Sequence, residues 1–166
     1  MRYALIRKMD ISNGDGIGVS LFVQGCHAHC KNCFNPETWS FNGGEEWTNE
    51  TKEKFFELAS KEYVTRISIL GGEPFDPENL YDVIDILKEI KDRFPDKSVW
   101  LYTGNLIEYV LNCDMKKALP YIDVLVDGKY IDELSDVSLT LYGSTNQRVI
   151  DVQKTLKNGD IVLYNK

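Results

Sequence analysis

The chain has 166 residues, of which 43% are hydrophobic and 27% are charged, a composition typical of one globular domain. We therefore expect a single domain over residues 1–166. Its 19 basic and 26 acidic residues give a net charge of −7, which disfavours binding to nucleic acid or to a membrane surface through clustered Lys and Arg. No apolar run approaches the ~18 residues of a membrane span, and the N-terminus lacks a signal-peptide pattern, so we expect a cytoplasmic protein.

Strands and helices alternate along the predicted chain. Runs of β-branched and aromatic residues predict strands at residues 18–24, 66–70, 98–102 and 122–126. Apolar faces of helical period predict helices at residues 49–63 and 106–119, and a third helix that begins at Pro77 with Asp76 as its N-cap. We expect residues 137–163 to form short strands around a loop at 143–147.

This order of elements predicts an α/β fold. Strands that alternate with helices form parallel units with right-handed crossovers, and near-continuous apolar strands are typical of a parallel sheet covered by helices. The chain is too short for a closed eightfold barrel, which needs ~250 residues. We therefore expect an open, mostly parallel sheet or a partial (βα) barrel of about four to six strands.

Four unusual loops follow the ends of the predicted strands. They are the cysteine loop at 26–34 and the segments Gly71–Pro74, Thr103–Asn105 and Asp127–Lys129. Ligands of open α/β sheets bind outside the carboxyl ends of the strands. The sequence therefore predicts that these loops meet on one rim and form the functional site.

Three of the four cysteines lie close together in the pattern Cys26-x3-Cys30-x2-Cys33. Clustered thiols in a chain without a signal peptide more often bind a metal or carry out redox chemistry than form disulfides. Thiolates are the usual protein ligands of iron–sulfur clusters, and three of them leave one iron of a 4Fe–4S cluster without a protein ligand. An open metal position is typical of a reactive site.

The cysteine pattern allows two other interpretations at this point, a zinc site and an electron carrier. His27 or His29 could complete a Cys3His zinc site, although structural zinc sites usually take ligand pairs from two separate segments. An electron carrier would need a fourth thiolate, and Cys113 is the remaining cysteine. Because Cys113 lies in a predicted helical stretch, we expect it to be a small buried residue.

The ordered motifs of this chain resemble the radical-SAM superfamily and, more specifically, the small activating proteins of the anaerobic ribonucleoside-triphosphate reductase. The motifs that carry this resemblance are Asn13–Gly16, Phe22–Cys26, Cys33–Trp39, Gly71–Pro74, Trp100–Gly104, Val124–Lys129 and Gly143–Arg148. Each is short, but together they cover nearly the whole chain. The segment Gly143–Arg148 distinguishes this family from other activases, and we expect it to belong to a partner surface or to shape the site.

The resemblance implies a 4Fe–4S cluster on Cys26, Cys30 and Cys33, with S-adenosylmethionine bound to the open iron. It also implies that Glu73 accepts a charge-assisted hydrogen bond from the methionine ammonium group. The residues Gly71 and Gly72 would let the backbone approach the cofactor closely.

The resemblance assigns further cofactor contacts on both sides of this motif. Asp127 and Lys129 would contact the ribose and the carboxylate of S-adenosylmethionine. The backbone of Asn32, Cys33 and Phe34 would contact its adenine. Asn32 stands where many superfamily members have an aromatic residue, and Phe34 follows the third cysteine instead.

The reaction implied by the resemblance needs no catalytic side chain beyond the cluster and the cofactor. The reduced cluster would cleave S-adenosylmethionine to methionine and a 5′-deoxyadenosyl radical. This radical would take a hydrogen atom from a glycine near the C-terminus of the large subunit of the reductase. A low-potential donor such as flavodoxin would supply the electron.

The sequence leaves open whether the protein forms a homodimer. The alternative functions are an activase of the pyruvate formate-lyase kind and a zinc-binding interaction module.

Overall fold

The computed structural model describes residues 1–165 and places strands and helices along their whole length. The strands are β1 (Arg2–Asp10), β2 (Gly18–Val23), β3 (Glu45–Glu46), β4 (Arg66–Gly71), β5 (Ser98–Tyr102), β6 (Val124–Asp127) and β7 (Arg148–Asp151). The α-helices are α1 (Asn49–Ala59), α2 (Pro77–Arg93), α3 (Ile107–Val110) and α4 (Val152–Asn158). Short 3₁₀ segments lie at Pro36–Thr38, Asp114–Tyr121 and Asp132–Leu134. Within residues 1–165, no helix combines the length and the apolar character that crossing a membrane requires.

The seven strands form one open sheet in the order β3-β1-β2-β4-β5-β6-β7. The four central strands, β2, β4, β5 and β6, are parallel, whereas β1, β3 and β7 pair antiparallel at the two sides. The predicted α/β class is therefore confirmed, but the sheet is mixed. The loop 11–17 explains the first antiparallel pair, because it is too short for the crossover that two parallel strands need.

The main hydrophobic core lies between the sheet and the helices. Successive side chains of a strand point to opposite faces, so one face of the central strands packs on α1 and α2. The buried strand residues on this face are Val19, Leu21, Val23, Ile67, Ile69, Val99, Leu101 and Leu125. The other face of the same strands carries Phe22, Leu70, Tyr102 and Val126, which are therefore left for the functional site.

The two long helices begin and end for different local reasons. Helix α2 begins at Pro77 as predicted, but the carboxylate of Asp76 makes no cap bond. It accepts instead from the backbone N–H of His27 at 2.9 Å, which ties the start of α2 to the cysteine loop. Helix α1 ends at Ala59, four residues before the predicted end, because the Ser60 hydroxyl donates to the Glu57 carbonyl oxygen and competes with the helix backbone.

The C-terminal region differs from its prediction. Residues 137–163 contain the strand β7, but α4 then replaces the expected strands. The side chain of Asp151 caps α4 by accepting from the N–H of Lys154 at 3.1 Å, and Gly159 ends the helix with a φ of +80°. The predicted helical stretch 106–119 is two pieces, α3 and the 3₁₀ segment Asp114–Tyr121.

Candidate functional site

A cavity of about 640 Å³ lies at the carboxyl ends of the four parallel strands. Its floor is the sheet face that the helices leave uncovered. Its walls come from the cysteine loop and from the loops after β4, β5 and β6, including Gly71–Glu73, Thr103–Gly104 and Gly128–Tyr130. The structure therefore brings the four unusual loops together, as the strand order predicts.

The three clustered cysteines all line this cavity as half-buried, free thiols. Burial raises the pKa of the Cys26 and Cys30 thiols. Backbone groups counteract this rise: those of Ala28 and His29 lower the pKa of Cys26, and that of Tyr130 lowers the pKa of Cys30. The N–H of Asn35 donates to the Cys33 sulfur at 3.4 Å. Such donors stabilise thiolates, and hydrogen bonds to cysteine sulfur are a usual feature of iron–sulfur sites, so the donor set fits a cluster.

The two histidines of the loop are engaged away from the cysteines. The Nε2 atom of His27 lies 2.6 Å from Glu78 Oε2. The ring of His29 stacks on Trp39, with the ring centroids 4.5 Å apart and the planes 10° apart. In the described part of the chain, no three His, Cys, Asp or Glu side chains are arranged to hold a single metal ion. Neither histidine is therefore placed with the cysteines in a Cys3His set.

Cys113 is separated from the cavity. It is half-buried at the start of the 3₁₀ segment Asp114–Tyr121, and its thiol lies 3.8 Å from the carbonyl oxygen of Val110. It is not among the residues that line the cavity. The fourth thiolate that an electron carrier would need is therefore not supplied there.

Glu73 is the buried acid of the cavity wall. Its carboxylate accepts from the N–H of Phe75 and the hydroxyl of Thr103, both at 2.8 Å, and from the N–H of Gly104 at 2.7 Å. Burial outweighs these donors and raises the pKa of Glu73 to about 7. The side chain is thus fixed in place, and a cation that enters the cavity would favour its ionised form.

The glycines before Glu73 join this motif to the strand that leads into the cysteine loop. The N–H of Gly72 donates to the Val23 carbonyl oxygen at 2.9 Å, and that of Glu73 donates to the Gly25 carbonyl oxygen at 2.8 Å. Gly71 has a φ of +111°, a conformation that favours glycine. A methyl group added at Gly72 would collide with the Gly25 backbone. Glycine is therefore required at both positions for the two loops to meet.

Asp127 and Lys129 occupy different environments. The Asp127 side chain is fully buried, and its carboxylate accepts from the N–H of Ile107 at 2.9 Å and from Arg148 at 2.6 and 3.0 Å. Lys129 is exposed and lines the cavity. Of these two predicted contacts, the structure brings Lys129 to the cavity and places Asp127 behind its wall.

The residues around the third cysteine explain why an aromatic residue is missing there. Asn32 has a φ of +56°, a left-handed conformation that Asn tolerates better than aromatic residues do. Its side-chain amide donates to Asp132 at 2.9 Å. The ring of Phe34 lines the cavity and lies 4.8 Å from the ring of Tyr130. The aromatic wall near Cys33 is thus formed by Phe34 and Tyr130.

Some residues of the site carry no individual signal in the sequence. Thr103 and Gly104 hold the Glu73 carboxylate, although the turn signal at Gly104 predicts only that a loop lies on the rim. The Tyr130 ring packs against that of Phe34 at a 45° tilt, and the Tyr130 backbone lowers the pKa of Cys30. Its position directly after Gly128 and Lys129 is the one clue that could have pointed to it.

Known proteins resemble this chain over most of its length. A family model described as a 4Fe-4S single cluster domain matches residues 12–150. The anaerobic ribonucleoside-triphosphate reductase-activating protein of Vibrio cholerae is 40% identical over 149 residues, which are 89% of this chain and 96% of that protein. The proteins of the same name from Salmonella typhimurium and Enterobacteria phage T4 are 36% and 37% identical over 90% of this chain, and the matches cover 97% and 93% of those proteins.

These matches agree with the chemistry of the cysteine loop. The family model supports a 4Fe–4S cluster over zinc, and the three cysteines with their amide donors fit such a cluster. The relatives match over almost their full length, so the likeness is not confined to a single motif. The chain belongs to the family of anaerobic ribonucleoside-triphosphate reductase-activating proteins.

Proposed function

We propose that this chain is a radical-SAM activase that generates the glycyl radical of an anaerobic ribonucleoside-triphosphate reductase. The observation that carries this proposal is the sharing of one cavity by three cysteine sulfurs and the buried carboxylate of Glu73. That combination provides ligands for a cluster beside an acceptor for an ammonium group. The names of the relatives supply the identity of the target.

The chain's own residues bind and orient the reactants. Cys26, Cys30 and Cys33 would hold the cluster by three irons, and the bound cluster supplies the electron that cleaves S-adenosylmethionine. Glu73 would accept from the ammonium group of the methionine portion, since its carboxylate is already fixed by three donors. The glycines at 71 and 72 let the loop that carries Glu73 pack against the end of β2, because an added Cβ would meet the backbone of Val23 or Gly25.

The opposite wall of the cavity provides the remaining contacts. Lys129 would pair with the carboxylate of the cofactor, because it is the cationic side chain of the loop after β6 that lines the cavity. The backbone of Asn32, Cys33 and Phe34 would contact the adenine. We assign Asp127 an indirect part, since its carboxylate is buried and already binds Arg148.

The mouth of the cavity fits a polypeptide substrate. Phe34 and Val137 both line the cavity and are exposed to solvent, Phe34 by 70%. A glycine loop from the C-terminus of the large reductase subunit would cover these apolar side chains and bring its Cα hydrogen to the cofactor. The chain would then need no separate substrate domain.

The wider setting follows from the same proposal. We infer that residues 1–166 act as one domain and that the open sheet is a partial (βα) barrel of radical-SAM type, because the cavity lies on the face opposite the helices. The free thiols are consistent with the cytoplasm. A low-potential donor such as flavodoxin would deliver the electron, and light scattering of the purified protein distinguishes a monomer from a homodimer.

Electron paramagnetic resonance tests the proposed function. The cluster-loaded protein is mixed anaerobically with S-adenosylmethionine, a reductant and either the reductase or a pyruvate formate-lyase. We expect a glycyl-radical signal on the reductase, and none when Cys30→Ala replaces the wild type. A signal on the lyase alone would contradict the proposal in favour of the other activase class.

A further inference from the structure

Four side chains of the segment 144–148 hold the loop after β6 almost residue by residue. Each binds a different group between Asp127 and Ile131. Arg148 binds the Asp127 carboxylate at 2.6 and 3.0 Å, and the side chain of Gln147 donates to the Gly128 carbonyl oxygen at 3.0 Å. The side chain of Asn146 donates to the Lys129 carbonyl oxygen at 2.8 Å, and the hydroxyl of Ser144 accepts from the Ile131 N–H at 3.2 Å. We call Ser144, Asn146, Gln147 and Arg148 the clamp.

The clamp is itself fixed. The side-chain oxygen of Gln147 accepts from the N–H groups of Gly143 and Ser144 at 3.0 and 3.1 Å, which closes the turn that carries the clamp. Arg148 binds a second carboxylate, that of Glu108, at 2.6 Å. Because both ends of the clamp are anchored, the clamp can impose a position on the loop rather than follow it.

Thr145 lies in the same segment but outside the clamp. Thr145 is exposed, and its backbone N–H donates to the Leu134 carbonyl oxygen at 2.9 Å. A change of its side chain therefore leaves the four clamp contacts in place. Thr145 provides a matched control for the clamp residues.

The loop held by the clamp reaches the cysteine loop. Tyr130 lines the cavity together with Cys30 and Phe34, and the Tyr130 ring lies 4.8 Å from that of Phe34. One residue beyond the clamped range, Asp132 accepts from the side chain of Asn32 at 2.9 Å. The position of residues 127–131 thus sets one wall of the cavity and its contact with the cysteine loop.

We propose that Ser144, Asn146, Gln147 and Arg148 are positioning residues that hold residues 127–131 in the geometry required to bind S-adenosylmethionine. This inference rests on the proposed function, because it takes the cavity to be the cofactor site. It assigns the motif Gly143–Arg148 to the interior of the site. The clamp side chains are already engaged with their own chain.

The first test uses the metal-free protein and needs no activity. Gln147→Glu keeps the oxygen that closes the turn but loses the donor to Gly128, and it places a carboxylate beside that carbonyl oxygen. We expect hydrogen exchange of the peptide covering residues 128–134 to become about tenfold faster, the effect of losing roughly one hydrogen bond. Exchange in β2 and β4 should not change, and neither should exchange in Thr145→Ala. Unchanged exchange at 128–134 would overturn the proposal.

A second variant tests the clamp independently if Gln147→Glu does not fold. Ser144→Ala removes only the hydroxyl that accepts from the Ile131 N–H. We expect faster exchange of that amide by a similar factor, with unchanged exchange in the strands. Wild-type exchange at Ile131 in this variant would contradict the clamp.

The third test measures cofactor binding by the cluster-loaded protein. We expect Gln147→Glu to weaken the binding of S-adenosylmethionine about tenfold at unchanged iron content, and to raise the KM for S-adenosylmethionine without changing the KM for the reductase. Unchanged affinity for S-adenosylmethionine, or a change confined to the KM for the reductase, would overturn the proposal. A wild-type protein that binds S-adenosylmethionine but forms no radical on the reductase would refute the proposed function and leave the clamp standing.

Discussion

Glu73 shows how burial and hydrogen bonding compete at a single side chain. Three donors on its carboxylate favour the ionised form, but the loss of water around the buried group is the larger effect and raises its pKa from 4.5 to about 7. The folded metal-free protein therefore binds this proton more tightly than the unfolded chain does. Ionisation of Glu73 therefore lowers the free energy of unfolding. This loss begins as the pH rises above 4.5 and is complete above pH 7.

This shift predicts a specific pH dependence of stability in the metal-free protein. Between about pH 5.5 and about pH 8, the unfolding free energy of the wild type should fall by about 2 kcal/mol relative to Glu73→Gln, which has no proton to lose. Urea unfolding at several pH values measures both proteins. The hydrogen bond lost in the variant changes its unfolding free energy by the same amount at every pH. The test therefore compares the slopes of the two plots of unfolding free energy against pH. Parallel pH profiles would contradict the assigned pKa shift.

Single residues also mark the limits of prediction from sequence. The three cysteines and Glu73 are predicted by their motifs, and the structure places all four on the cavity. Asp127 shares a motif with Lys129, but its side chain turns away because Arg148, twenty-one positions later, binds it. A pairing over that distance depends on the packing of β6 against β7, which no local pattern reveals.

At the scale of elements, the junction between β2 and β4 decides the shape of the site. Gly72, just after β4, comes close to the backbone of Gly25, two residues after β2 ends, and the N–H of Glu73 donates to the Gly25 carbonyl oxygen at 2.8 Å. The cysteine loop and the loop that carries Glu73 are thereby locked together. This contact joins the two parts of the site that we propose to bind the cluster and the cofactor.

Gly72→Ala tests this junction. The added methyl group would meet the Gly25 backbone, so the two strand ends must separate, and we expect a loss of about 1–3 kcal/mol in unfolding free energy. Weaker binding of S-adenosylmethionine should accompany this loss. Gly104→Ala is the control for the stability measurement alone, since its methyl group would meet the flexible Lys129 side chain at 3.2 Å and no described backbone atom within 3.5 Å. Equal stability of Gly72→Ala and the wild type in urea would refute the role of this contact.

The elements themselves are predictable where their pattern is local. The strands β2, β4 and β5 and the start of α2 match their predictions, because apolar runs and the Asp-Pro start are strong signals. Strand β1 has no such local signal, because its charged and half-exposed residues form a strand only through pairing with β2. Helix α4 is short and depends on its Asp151 cap, so the prediction of strands there is wrong.

At the scale of the whole molecule, the core and the cluster site are separate. The main hydrophobic core lies on the helix face of the sheet, and a smaller cluster around Trp100, Val124 and Val126 lies on the other face, where the cysteines line the cavity. No cysteine in residues 1–165 belongs to either cluster, so we expect the fold not to depend on a metal, in contrast to small zinc modules that unfold without one. The order of the strands predicts which loops meet, and this is why the location of the site follows from the sequence.

Replacing all three cysteines tests this separation. The variant Cys26→Ser, Cys30→Ser, Cys33→Ser should fold with an unfolding free energy within about 1 kcal/mol of the metal-free wild type, since the changed groups lie outside the core. Circular dichroism and urea unfolding measure this. An unfolded triple variant would mean that the cysteine loop is part of the folding core.

Iron and sulfide analysis after anaerobic purification tests the central claim most directly. We expect about four iron and four sulfide per chain in the wild type and in Cys113→Ala, and neither in Cys30→Ala, because three loop cysteines hold a 4Fe–4S cluster with one open iron. Addition of S-adenosylmethionine should change the visible spectrum of the first two proteins. One zinc per chain without sulfide, or loss of the cluster in Cys113→Ala, would contradict the account.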